Sequence, residues 1–167
     1  MCGITGFVQL KRSLGHDELA CMMETLHHRR PDDSGCFLDT HAGLGMRRLS
    51  IIDLSGGQQP VRSNSGRYIA VFNGEIYNYR ELQKKLQGRG FTFVSNGDAE
   101  VLVNMYEAFG LEAWNRLRGM FAAAIWDSGP RDRLRSLWNY VPRAGSCVVG
   151  RGVDRASLTN VRILDIV

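Results

Sequence analysis

An α+β fold is predicted, with antiparallel sheets layered against helices. Two observations carry this. Candidate elements run strands, helix, strands, helix, strand, helices, strand, without the regular alternation of a parallel βαβ sheet. Apolar residues also switch between short alternating runs such as "RYIAVF" and the i, i+3, i+4, i+7 spacing of "DELACMMETL". At 167 residues the chain suits one domain, long enough to bury about two thirds of its unfolded surface without staples.

In chain order, "ITGFVQL" is rich in β-branched and aromatic residues and predicts a strand. "DELACMMETLHH" places apolar residues at 19, 22, 23 and 26 and predicts an amphipathic helix, which the loop "RRPDDSG" ends. "CFLDTHAGLGMRRLSIIDL" predicts two strands joined by a glycine-containing turn, followed by a loop, "SGGQQP". "RYIAVFNGEIY" alternates and is expected to break at Asn73-Gly74, a dipeptide that favours positive φ. Asn78 is the expected N-cap of "YRELQKKLQGRG", in which Leu82 and Leu86 lie one turn apart and Gly88 or Gly90 supplies the stop. "FTFVS" predicts a strand, "DAEVLVNMYEAFG" a helix, "LEAWNRLRG" a shorter helix and "MFAAAIWD" an apolar strand. No internal repeat is present, and the one break in composition falls near Asp127.

Charge and cysteine usage exclude several function classes. Residues 1–127 hold 14 basic and 14 acidic side chains, and residues 128–167 hold 7 and 3, so the net charge of +4 sits in the last segment. Its basic residues are all Arg, and the neutral main body gives no reason to expect nucleic-acid binding. Cysteines at 2, 21, 36 and 147 and histidines at 16, 27, 28 and 41 form no metal-ligand spacing, so no metal is expected. No leader-like start and no run of membrane-span length occurs, which leaves the cytoplasm, where free thiols persist, as the expected location.

Four features point to chemistry. Met1 followed by a small residue suits removal by methionine aminopeptidase, which would put a thiol and a free amine on Cys2. The amine, with a reference pKa of about 7.7 to 8.0, could then serve the thiol as its base. The alternative is a small buried hydrophobe. Asn73-Gly74, at the end of an apolar strand, can offer a side-chain amide and a backbone N–H to an oxyanion, or be an ordinary hairpin turn. Arg48 in "MRRLSIID" is either a fork for a carboxylate or a solvated strand-edge residue. Asp98 in "SNGDAEV" is either a helix N-cap or a carboxylate that receives an ammonium. Together, a nucleophile with its own base, two oxyanion donors, one cation and one anion would hold an amino acid by its zwitterionic end and attack a side-chain carbonyl. Glutamine fits.

Six ordered blocks, "MCGITGF", "HHRRPDDSG", "RRLSIIDLSGGQQP", "FNGEIYNYRELQKKL", "GDAEVLV" and "GMFAAAIWD", resemble the class II glutamine amidotransferase domain. Within that family they are most similar to the glutaminase domain of glutamine-hydrolysing asparagine synthetases. The resemblance spans residues 2 to about 127 and implies an N-terminal nucleophile hydrolase fold, a four-layer αββα sandwich of two antiparallel sheets between helices, which could be incomplete at its C-terminal end. It implies Cys2 as nucleophile, Asn73 and the Gly74 N–H as oxyanion donors, and Arg48 as the partner of the glutamine carboxylate. Leu49, Ser50, Ile51 and Ile52 would line the pocket, with Glu75 and Asp98 near the glutamine amine. The implied partner is L-glutamine, and the glutaminase half needs neither metal nor cofactor. ATP and Mg would belong to a synthetase domain whose Ser-Gly-Gly-X-Asp-Ser phosphate loop is absent from this sequence, leaving a separate synthetase chain as a further expected partner.

The sequence also departs from the family pattern. Arg30 stands where Gly is usual, and Gly97 and Ala99 flank Asp98 where Ser and Thr are usual, removing hydroxyls that could hold the loop. Residues 128–167 read as a divergent Arg-rich tail, from a disrupted reading frame or an unrelated terminus, leaving an open sheet edge after Asp127. The competing expectations are a catalytically impaired truncated fragment, a glutamine-binding interaction module, and the glutaminase domain of another class II amidotransferase.

Overall fold

The computed structural model describes residues 3–9, 14–26, 33–48, 58–129, 133–139, 153–154 and 162–166, the last three segments and residues 33 and 48 by backbone alone. Strands β1 (Gly3–Val8), β2 (Asp33–Leu38) and β3 (Ala42–Arg48) form one antiparallel sheet with β9 (Arg162–Ile166), in the order β2-β3-β1-β9. The second sheet runs β4-β5-β6-β7-β8, from β4 (Val61–Arg62), β5 (Tyr68–Ile76), β6 (Gly119–Asp127), β7 (Arg133–Asn139) and β8 (Val153–Asp154). Helix α1 is His16–Thr25, α2 Tyr79–Gln87 and α3 Asp98–Phe109, with a 3-10 helix over Gly110–Arg116.

Side-chain alternation explains the layering. In β5, Ile69 and Val71 join Ile4, Leu44, Met46, Ala124 and Trp126 in a core between the sheets. The intervening Ala70 and Phe72 face the opposite way, into the core built with Leu82, Leu86, Leu102 and Met105 of α2 and α3. In β1, Phe7 faces away from the partner sheet and packs with Leu19 and Met23 of α1. The order is therefore helix, sheet, sheet, helices: the expected αββα sandwich.

Two ties fix the sheets against each other. The Trp126 indole, 1% exposed, donates to Asp39 Oδ2 at 2.6 Å, while Asp39 Oδ1 accepts the His41 and Ala42 amides. In β2, Gly35 faces the Gln59 carbonyl so closely that an added Cβ would lie 1.8 Å from that oxygen.

Several expectations change. The turn between β2 and β3 is Asp39–His41 and contains no glycine; Gly43 and Gly45 lie within β3, where Cβ atoms would strike Phe7 and Met23. β2 already starts at Asp33, inside the stretch read as loop. "FTFVS" is not a strand: the Thr92 amide donates to Asn64 Oδ1, and the Val94 and Ser95 amides donate to the Glu100 carboxylate, so side chains take the bonds a neighbouring strand would need. Asn78 holds the N-cap position of α2, but its side chain instead bridges Arg116 O and the Arg118 amide, at 2.9 Å each. β5 does not break at Asn73-Gly74 and continues to Ile76. The open edge expected after Asp127 is occupied, because β7 pairs with β6, and β9 pairs with β1.

Candidate active site

The two sheet ends that carry the sequence-predicted residues lie at the same end of the sandwich. In the first sheet, Gly3 at the start of β1 pairs with Arg47, and Asp33 pairs with Arg48. In the second, Gln59 links Gly35 to β5: its side-chain amide donates to Phe72 O at 3.0 Å and accepts the Phe72 amide at 2.6 Å. From this tie, β2 leads back to Asp33 opposite Arg48, and β5 leads forward to Asn73 and Gly74. Of the expected residues, Cys2, Leu49, Ser50, Ile51 and Ile52 lie outside the described residues, as does Arg30, and Arg48 is placed by its backbone alone.

Asn73 and Glu75 continue the row of Ile69 and Val71 to the rim of the space between the sheets. Asn73 is half-buried and pairs with Ala122, and the exposed Glu75 pairs with Met120. Gly74 is required for two reasons. Its φ is +138°, which side-chain-bearing residues rarely adopt, and a Cβ would lie 2.1 Å from Met120 O and 2.5 Å from Phe121 Cα. The glycine thus serves the close approach of β6 within a continuous ladder.

Asp98, the first residue of α3, lies against this segment: its carboxylate accepts the Ile76 amide at 3.0 Å. The N-cap position is Gly97, one residue before Asp98. Burial pushes its carboxyl above the ordinary value. The amides of Ile76, Asp98 and Ala99 pull the other way, and the nearby Glu75 charge adds to the rise. A cation beside Asp98 and Glu75 would offset both the desolvation cost and the repulsion. The loop before Asp98, without flanking hydroxyls at 97 and 99, is held by Glu100. This residue is 8% exposed and accepts the Val94 amide, the Ser95 amide and the Ser95 hydroxyl.

Gln59 and Glu100 are the site-supporting residues that sequence reasoning missed. Gln59 sits in "SGGQQP", where its block was legible but its partner, 13 residues on, was not. Glu100 is an acidic residue in the first turn of a helix, where local pattern predicts exposure.

The two-sheet αββα sandwich thus brings an Asn-Gly pair and an acidic helix start together at one end. The chain belongs to the glutamine amidotransferase domain family, whose model matches residues 1–134. It is 44% identical over 131 residues to asparagine synthetase [glutamine-hydrolyzing] 1 of Bacillus subtilis, covering 76% of this chain and 21% of that protein. It is 40% identical over 149 residues to a putative asparagine synthetase [glutamine-hydrolyzing] of Mycobacterium tuberculosis, covering 79% and 23%. Against amidase chry2 of Gibberella zeae the identity is 39% over 157 residues, covering 84% and 23%. The chain therefore spans about a quarter or less of the length of these relatives. Among solved structures, the glutamine phosphoribosylpyrophosphate amidotransferase from B. subtilis shares the fold, with a TM-score of 0.60 at 18% identity over 83% of this chain and 37% of that one.

Proposed function

We propose that this domain hydrolyses the side-chain amide of L-glutamine, as the glutaminase half of an asparagine synthetase-type amidotransferase. The observation that carries the reading is the meeting of Asn73, Gly74 and Asp98 in a chain of this family, through the bond from the Ile76 amide to the Asp98 carboxylate. In this reading Arg48 holds the substrate carboxylate, Glu75 and Asp98 receive its ammonium, and the 49–52 segment lines the pocket. The Cys2 thiolate attacks the amide carbon, forming a C–S bond and an oxyanion that Asn73 and the Gly74 N–H stabilise. The C–N bond then breaks as the amide nitrogen takes a proton from the Cys2 ammonium and leaves as ammonia. Water attacks the thioester, returning the thiolate and releasing glutamate.

We further assign this chemistry to residues 2–127, with 128–167 a divergent tail. The ammonia passes to acceptor chemistry that uses ATP and Mg in a synthetase portion, in the same or a separate chain. Among the described residues no helix is long and apolar enough to cross a membrane, and Cys21 and Cys36 are exposed free thiols. Both fit a cytoplasmic location. The test is glutamate release from L-glutamine by the purified chain beside a Cys2→Ala control, with intact mass recording whether Met1 is gone. Turnover confined to the parent supports the reading; a folded chain that lacks Met1 and releases no glutamate overturns it.

A further inference from the structure

β4 pairs with β5 only at Val61↔Ala70 and Arg62↔Ile69, so among the described residues no strand covers the same edge of β5 from Phe72 onward. Two side chains take the place of a strand. Gln59 makes both ladder bonds to Phe72, and Asp98 takes the Ile76 amide. Alternation along β5 turns the Gly74 N–H to this same edge, midway between the two clamps. Gln59 is half-buried, and its own carbonyl lies against Gly35, so the clamp is anchored to the opposite sheet. Its neighbour Gln58 is exposed.

We infer that Gln59 is a positioning residue for the amide-hydrolysing site. It fixes the backbone at Phe72, and with it the Asn73 amide and Gly74 N–H that follow. This rests on the function proposed above. A donor displaced by about 1 Å can lower turnover about 100-fold while substrate binding elsewhere in the pocket is untouched. A merely structural Gln59 would change stability and leave that split absent.

The experiment compares Gln59→Leu, Gln59→Glu and Gln58→Leu with the parent chain in steady-state glutamate release. Inhibition by L-glutamate and by L-glutamate γ-semialdehyde is measured alongside, because only the semialdehyde forms an oxyanion on the nucleophile. Gln59→Leu, which loses both bonds, is expected to lower kcat about 10- to 100-fold with KM within about threefold. Semialdehyde affinity falls in proportion and glutamate affinity does not. Gln59→Glu keeps an acceptor for the Phe72 amide and lies between, and Gln58→Leu matches the parent. A kcat within about twofold of the parent in Gln59→Leu, or equal losses for the two inhibitors, overturns the inference. If Gln59→Leu does not fold, the same comparison with Gln59→Glu decides. A parent that releases no glutamate overturns the proposed function instead. Positioning is then read from amide spectra, where unchanged Asn73 side-chain and Gly74 resonances in Gln59→Glu overturn it.

Discussion

The Ile76 amide donates to the Asp98 carboxylate at 3.0 Å, joining the end of β5 to the first turn of α3. Residues 22 apart in sequence thereby set the spacing between a glycine held at positive φ and a half-buried acid. Under the proposed function, stability and substrate binding are opposed at this joint.

Burial raises the Asp98 carboxyl above its ordinary value. The folded chain then holds the proton more tightly than the unfolded one, so ionisation weakens the fold. The penalty is absent below the unfolded carboxylate value of about 3.9 and complete above the folded one. Asp98→Asn keeps an acceptor for the Ile76 amide and is expected to raise Tm at pH 7, with the gain shrinking toward zero below about pH 3.9. Thermal melts across this range check the sign. The same substitution is expected to raise KM for glutamine.

Gly74→Ala combines a strained φ with a main-chain collision against β6. It is expected to destabilise by about 2–6 kcal/mol, the sum of backbone strain and overpacking. A urea titration measures it, and a loss under about 1 kcal/mol would show that β6 yields at little expense.

Glu100→Gln puts an amide NH2 where a carboxylate oxygen accepts N–H or O–H donors, whichever way the amide turns. The expected loss is about 1–3 kcal/mol. Because Asp98 lies two residues upstream, KM for glutamine should rise more than kcat falls. Equal changes in both would separate the 94–97 loop from substrate binding.

Trp126→Phe removes the indole bond to Asp39 while keeping an aromatic ring in the core between the sheets. A hydrogen bond to a carboxylate contributes about 1.5–3 kcal/mol, and the variant should lose about that much. Denaturant unfolding followed by circular dichroism gives the number directly.

What was legible in the sequence was what local pattern encodes. The alternation of "RYIAVF" and the apolar run "MFAAAIWD" marked β5 and β6 as strands, and the spacing of Leu82 and Leu86 marked α2. Where the sequence misled, a distant polar partner had replaced a local one. Thr92 carries a strand-like pattern, yet its amide goes to Asn64, 28 residues away. Asn78 has the chemistry of a cap and spends it on the backbone at 116 and 118. Asp98 was legible as a site candidate, but its bond to Ile76 was not. β4, two residues long, is too short to leave a periodic signal, and the Gln59 clamp that extends it involves no repeating pattern at all.

At Gly35 the two layers meet through main-chain atoms, with no side chain between the strand and the Gln59 carbonyl. Elsewhere the gap between layers reflects soft, repackable groups such as Leu44 and Met46. Here it is a fixed gauge. Substitutions that reshape the interior can tilt one sheet about this point but cannot readily change the spacing at it. The spacing of the layers at Gly35 is thereby insulated from drift in the core, and a methyl group at position 35 would act as a wedge there.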